Sequence, residues 1–296
     1  MLDKGISLLS RVMLRFCVVG CLAALFQSAA TARVLLEMTE VKSLQEQGEV
    51  ILVDSRSAAD FQAMHIAGAV SIPSNETYRQ SGRSDLVAST RDMRRLLTQA
   101  GVSEQSRLVV YGDNNYLEIS RLFWVLEMFG LRNVSIMNDS FKRWRKQGYG
   151  TQAGQQAVTE SNFSPSLDED ELATMLMVYL AIKDDGEMII DARSAPEYEG
   201  GESQTGVYGH IPSAINVPWH QNLTADFTQF RPVEELATLY QRGAVKIRNT
   251  VYCNKGLESA VNYVALRELG MNVRAYDGSW YEWGLRSSLP REMGNE

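Results

Sequence analysis

Cys253 is the side chain in this sequence whose setting points most directly to chemistry. The apolar run Thr250-Val251-Tyr252 ends at the cysteine, and Asn254-Lys255-Gly256 make a short polar loop. Leu257, Val261, Val264, Ala265, Leu266 and Leu269 then share one helical face until Gly270 stops the run. Strand, tight loop and helix in succession put the thiol at the C-terminal end of a strand and the N-terminus of a helix. Ligands of open α/β sheets bind there. Free N–H groups and the positive end of the helix dipole stabilise an anion, so the thiol is expected to ionise below its reference pKa of about 8.5. Lys255 adds a second cation. The chemistry predicted is nucleophilic attack by a thiolate. The alternative, an inert buried cysteine, is a common state of free thiols, but the loop position beside Lys255 favours the reactive reading.

The elements that must hold such a loop occur twice. Ile51-Leu52-Val53-Asp54-Ser55-Arg56 matches Met188-Ile189-Ile190-Asp191-Ala192-Arg193, and the stretch from His65 to Pro73 matches that from His210 to Pro218. Leu108 to Tyr111 matches Asn249 to Tyr252, and Ser140 to Trp144 matches Ser279 to Trp283. Matching blocks in the same order indicate duplication. Strands are predicted near Ile51–Val53, Leu108–Tyr111 and Val134–Met137, with a helix near Ser120–Phe129. In the second half they fall near Met188–Ile190, Thr250–Tyr252 and Val273–Tyr276, with a helix near Glu258–Leu269. Such alternation implies α/β domains, each a parallel sheet with helices on both faces. Phe123, Trp124 and Met128 read as core or domain interface. The boundaries expected are 33–150, a polar linker over 151–170 leading into a helix near Leu172–Ala181, and a second domain over 171–296.

Residues 1–32 read differently. Lys4, Arg11 and Arg15 precede an apolar run from Phe16 to Phe26, and Ala30-Thr31-Ala32 has the small-residue pattern of a cleavage site. The run is shorter than the ~20 residues a spanning helix needs. A secretory signal peptide, periplasmic export and no stable membrane anchor after cleavage are therefore expected. The segment carries three basic residues and one acid, so its removal takes the formal charge from −7 to −9. A chain this acidic is a poor partner for nucleic acid or an anionic membrane surface. Cleavage also removes Cys17 and Cys21. Cys253 is then alone, with no disulfide partner in its own chain, in a compartment where disulfides are normal.

Taken together, the motifs resemble those of the tandem-domain rhodaneses, the family of thiosulfate and 3-mercaptopyruvate sulfurtransferases. They are Asp191-Ala192-Arg193, Gly209-His210-Ile211-Pro212 with Ala214, the loop Cys253-Asn254-Lys255-Gly256-Leu257-Glu258, and Tyr276-Asp277-Gly278-Ser279-Trp280-Tyr281-Glu282-Trp283. The resemblance implies two rhodanese-like domains of which only the second is catalytic, since Gly112 stands where the repeat would place a cysteine. It implies a Cys253 persulfide, charged by a small-molecule sulfur donor and discharged to a thiol or cyanide. Arg193 and Lys255 fall where the family binds the donor, and Asn254, Gly256, Leu257 and Glu258 complete the loop around the sulfur. No metal or organic cofactor is implied.

Asn254 and Glu258 depart from the thiosulfate-type loop, which tends to carry Arg and Thr at those positions. One cation fewer and one carboxylate more should weaken attraction for a dianionic donor, unless Glu258 points outward. Lys255 favours thiosulfate over 3-mercaptopyruvate. Arg193 has a purely structural alternative, pairing with Asp191 or Glu197. His65 and His210, like Asp54 and Asp191, recur in the half without a cysteine and read as structural. Two other functions compete. A non-catalytic sulfur-binding or relay module would fit the unusual loop, whereas a Cys-x5-Arg phosphatase would need arginine where Ser259 stands.

Overall fold

The computed structural model describes residues 33–79, 85–155, 157–240 and 248–294. The stretch read as a signal peptide lies outside them. Among the described residues no helix is long and apolar enough to cross a membrane.

The first half runs β1 (Leu35–Leu36), α1 (Met38–Gln47), β2 (Ile51–Asp54), α2 (Ala58–Ala63), β3 (His65–Ile66), β4 (Val70–Ser71), α3 (Thr90–Gln99), β5 (Leu108–Gly112), α4 (Tyr116–Met128), β6 (Val134–Ser140), α5 (Phe141–Lys146) and β7 (Thr151–Gln152). The second runs α6 (Met175–Ala181), β8 (Glu187–Asp191), α7 (Ala195–Glu199), β9 (Ile215–Asn216), α8 (Val233–Tyr240), β10 (Arg248–Tyr252), α9 (Ser259–Glu268), β11 (Val273–Ala275) and α10 (Ser279–Trp283). The first sheet has the order β1-β6-β5-β2-β4 and the second β11-β10-β8-β9, every pair parallel. Leu172 bridges Ala275 in the place that β1 takes beside β6. The duplication read in the sequence is thus a duplication of topology.

Each central strand is buried on both faces, as a parallel sheet covered by helices requires. On β5, Leu108 and Val110 face one core while Val109 and Tyr111 face another, built with α1, α2 and α5. On β10, Val251 and Tyr252 divide in the same way, Tyr252 packing among residues of α6, α7 and α10. The first of these cores is common to both halves, because α4 packs against α9. Phe123 and Tyr263 meet there with ring centroids 6.3 Å apart. Arg267 Nε and Nη2 donate to Glu127 at 3.0 and 2.9 Å, and the Tyr263 hydroxyl, with one proton to share, lies within hydrogen-bond reach of both Glu127 (2.8 Å) and Glu171. Burying one large apolar side chain contributes roughly 1.5–3 kcal/mol. Phe123, Trp124 and Tyr263, all fully buried here, therefore bind the halves firmly.

The segment read as a linker is anchored along much of its length. β7 pairs antiparallel with β3, Ser161 N–H donates to Thr98 O at 3.1 Å, and Phe163 is buried in the shared core. Val158 and Phe163 are the apolar residues that overcome its polar composition. The helix expected from Leu172 begins only at Met175, since Leu172 and Ala173 are held as sheet edge. There Thr174 Oγ1 accepts from Met177 N–H at 3.3 Å and caps the helix.

Candidate active site

Cys253 follows the last residue of β10, and its Sγ faces the loop that leads into α9. Gly256 N–H donates to Sγ at 3.1 Å. The amides of Lys255 and Ser259 also favour the thiolate. Two features turn these N–H groups inward. No side chain caps α9, and the Ala260 and Val261 N–H groups donate back to Leu257 O (3.3 Å) and Glu258 O (3.1 Å), which leaves the Ser259 amide for the sulfur. Meanwhile Trp280 and Tyr281, in the first turn of α10, donate their N–H groups to the carbonyls of Cys253 (2.9 Å) and Asn254 (3.0 Å). With those carbonyls held outward, the donors line the sulfur side, the arrangement that stabilises anions in backbone nests. Gly256 has φ +77°, and a Cβ there would lie 3.0 Å from Asp277 Oδ1 and 3.1 Å from Asp277 O. Both the turn and the close approach therefore require glycine. Ser279 holds φ +50°, an uncommon backbone state for a residue with a side chain, while its Oγ accepts from Cys253 N–H at 3.3 Å.

The thiol is buried, 1% exposed, and this changes its expected acidity. Burial first, then the charge of Glu258, push the Cys253 thiol up, and the surrounding hydrogen bonds offset only part of the rise. The sequence reading expected ionisation below the reference value; desolvation and a nearby carboxylate prevail over the helix terminus. Glu258 does not point outward. Its Oε2 lies 3.5 Å from Asn254 Nδ2, which also donates to Glu197 Oε1 at 3.0 Å. Burial, then the charge of Glu197, push Glu258 up to about 7. Asn254 thus bridges two carboxylates beside the nucleophile.

Cys253, Asn254, Gly256 and Glu258 come together as the sequence proposed. Leu257 is half-buried in the loop wall, and Lys255 is exposed at the rim, its Nζ 5.2 Å from the Tyr281 ring centroid. Arg193 is placed differently. It is fully buried, with Nε on Asp191 Oδ1 (3.0 Å), Nη2 on Asp191 Oδ2 (2.5 Å) and on Gly209 O (2.9 Å), and its guanidinium 4.7 Å from the Trp280 ring. Arg56 repeats the pattern on Asp54 and Met64 O. Tyr111 and Tyr252 hydroxyls donate to the two aspartates at 2.7 and 2.6 Å. His65 and His210 likewise donate Nδ1–H to Phe61 O and Tyr198 O while stacking on those rings. What recurs in the half without a cysteine is structural, and the Arg193 pairing with Asp191 belongs to that set. At Gly112 a Cβ would lie 2.7 Å from Ser55 Oγ and 3.1 Å from Ile119, so a cysteine there would require Ser55 to shift.

The first half nonetheless reaches the loop. Arg121 on α4 is fully buried, and its Nη1 donates to Gly256 O at 3.0 Å and lies 3.5 Å from Asp277 Oδ1. Its guanidinium lies 4.0 Å from the Tyr78 ring and 5.5 Å from Trp124. Asp277 Oδ2 in turn accepts from Val87 N–H at 2.9 Å. Arg121 therefore grips the peptide that precedes Leu257, within the residue whose N–H reaches the sulfur. Sequence reasoning missed Arg121, Asp277 and Ser259 as parts of the site. The usable signal for Arg121 was the one basic residue inside the largely apolar run from Leu117 to Met128.

Among the described residues no group of three or more His, Cys, Asp or Glu could hold a metal ion. The model of the rhodanese-like domain matches twice, over residues 37–147 and 177–286. The 3-mercaptopyruvate sulfurtransferase of Escherichia coli K12 is 32% identical over 202 residues, covering 66% of this chain and 71% of that protein. A putative thiosulfate sulfurtransferase of Mycobacterium leprae is 26% identical, covering 90% of this chain and all of that protein. A crystal structure of SseA from Escherichia coli, described by its rhodanese fold, superposes with a TM-score of 0.72 at 23% identity, covering 84% of this chain and 99% of that one. With the cysteine loop at the end of β10 and a fold doubled in this way, the chain belongs to the rhodanese family and is a sulfurtransferase.

Proposed function

We propose that Cys253 carries the transferred sulfur as a persulfide, taken from thiosulfate or 3-mercaptopyruvate and passed to a thiol or cyanide. The Cys253 thiolate attacks the sulfane sulfur of the donor. A new S–S bond forms, and the donor's bond to that sulfur breaks with its electron pair staying on the leaving group, sulfite or pyruvate enolate. The acceptor then attacks the outer sulfur, and Cys253 leaves as thiolate. Such double displacement needs a nucleophile whose negative charge is held in both steps. The single observation that carries the reading is the ring of donors around Sγ: the Gly256 N–H at 3.1 Å, with the amides of Lys255 and Ser259 beside it. Lys255 at the rim supports electrostatic capture of an anionic donor. The acidic chain, at −7 overall, supports small molecules rather than nucleic acid as partners. In the same reading residues 1–32 export the chain to the periplasm.

Steady-state transfer from each donor to cyanide tests the assignment. Cys253→Ser changes one atom in a loop and should fold normally yet lose activity by more than about 10³-fold. Retention of transfer by this variant would remove Cys253 from the chemistry.

A further inference from the structure

The wall around the sulfur has an imbalance that persulfide chemistry does not use. Glu197 and Asn254 are each only 5% exposed. Asn254 spends its amide on Glu197 Oε1 at 3.0 Å and Glu258 Oε2 at 3.5 Å, and the Glu197 Oε2 accepts from Ser194 Oγ at 3.0 Å. The other end of the same side chain, Asn254 Oδ1, is buried with no hydrogen-bond partner among the described residues. A buried acceptor of this kind costs about 1–3 kcal/mol unless a donor meets it. Neither carboxylate has a cation in ion-pair contact among the described residues. The buried cations nearby are already committed, Arg193 to Asp191 and Arg121 to Asp277. Asp191 adds its charge to the field at Glu258, while Arg193, paired with Asp191, also feels the charge of Glu197 without ion-pair contact. Lys255 stands at the exposed rim over Tyr281.

Two carboxylates and an orphaned amide oxygen, side by side at a nucleophilic sulfur, call for a partner that brings both positive charge and N–H donors. We infer that the Glu197–Asn254–Glu258 cluster selects the sulfur acceptor, favouring thiols that carry an ammonium group over anionic thiols. The inference rests on Cys253 as the sulfur carrier and adds the substrate class. In the discharge step the acceptor thiolate attacks the outer persulfide sulfur and the S–S bond to Cys253 breaks. The acceptor's ammonium group would meanwhile sit against the cluster and donate to Asn254 Oδ1. An anionic acceptor would meet repulsion at the same place and leave that oxygen unpaired. Donor capture by Lys255 and acceptor capture by the carboxylates use different side chains of the loop and its wall.

Two measurements separate this inference from the persulfide reading. The first needs no sulfur transfer: Cys253 is modified with 2-aminoethyl or 2-sulfonatoethyl methanethiosulfonate, each rate divided by that of a small free thiol. The attacking thiolate forms a mixed disulfide and methanesulfinate leaves. The cationic reagent should be favoured by about tenfold or more, since one unit of charge at a partly buried site is worth at least a factor of that order. Glu197→Gln and Glu258→Gln should each reduce the ratio, and together bring it within about twofold of the free thiol. If Glu197→Gln misfolds, Glu258→Gln alone decides. The second is single-turnover discharge of the persulfide by cysteamine and by 3-mercaptopropionate, compared per thiolate, with the same ordering expected. A wild-type ratio equal to that of the free thiol, or one that both glutamine variants leave intact, overturns the charge selection. Selective modification without any persulfide would instead uphold the charge selection and remove the sulfur-carrier reading.

Discussion

At the scale of single residues the site is governed by what surrounds one sulfur. Burial and Glu258 raise the Cys253 thiol, while the loop amides lower it. Replacing Glu258 by Gln removes the second cause and keeps the shape, so the pH midpoint of Cys253 alkylation should fall by on the order of one unit. The same substitution has a stability signature. Glu258 is held at about 7 in the fold against an ordinary 4.5. Its protonated form is favoured by folding, so its contribution is intact below about 4.5 and lost as pH rises through about 7. Glu258→Gln should therefore gain in thermal stability relative to wild type between pH 5 and pH 8. An unchanged alkylation midpoint would show that the carboxylate does not act on the sulfur. The placement of Cys253 was legible, because strand, polar loop and helix are all written around it. The direction of Arg193 was not. An Asp-x-Arg at a strand end can open to a ligand or close on its own aspartate, and the contacts that close it, from Tyr252, Gly209 and Trp280, come from distant sequence.

Helices and strands show a similar division. The central strands β2, β5 and β8 carry short apolar runs, β10 ends in one at Val251-Tyr252, and all could be read directly, as could α4 and α9. The two-residue strands β4 and β9 have no periodicity to detect. The 151–170 segment looked like a linker because only Val158 and Phe163 record its packing. The contact of α4 with the cysteine loop is the element-level finding with the most direct consequence. Arg121→Lys keeps a cation opposite Asp277 but not the planar fork that reaches Gly256 O. It should lower the rate of persulfide formation by about tenfold and raise the pH midpoint of Cys253 alkylation, since the Gly256 amide loses its anchor. Arg121→Met would in addition leave Asp277 buried and unpaired, at a cost of about 3–5 kcal/mol in unfolding. A lysine variant with wild-type rate and wild-type alkylation profile would make Arg121 a fold-stabilising residue only.

On the scale of the whole molecule, a duplicated fold carries one cysteine loop among the described residues. The first half retains the ion pair, the histidine stack and the sheet order, but Ser55 and Ile119 crowd the space above Gly112. Its remaining contribution to the site is Arg121, with Tyr78 and Val87 beside it, held in place by the core that α4 and α9 share. The matching blocks made the duplication legible, whereas the joining of the halves depends on side chains that look like ordinary core in sequence. The central claim is that Cys253 alone holds the sulfur in transit. Intact mass of the whole chain after brief exposure to thiosulfate, and separately to 3-mercaptopyruvate, tests it most directly, with Cys253→Ser as the blank. The account predicts a gain of one sulfur atom in the wild type with at least one donor, lost on adding cyanide or a thiol and absent in the variant. No gain from either donor while Cys253 still alkylates, or an equal gain in Cys253→Ser, would contradict it.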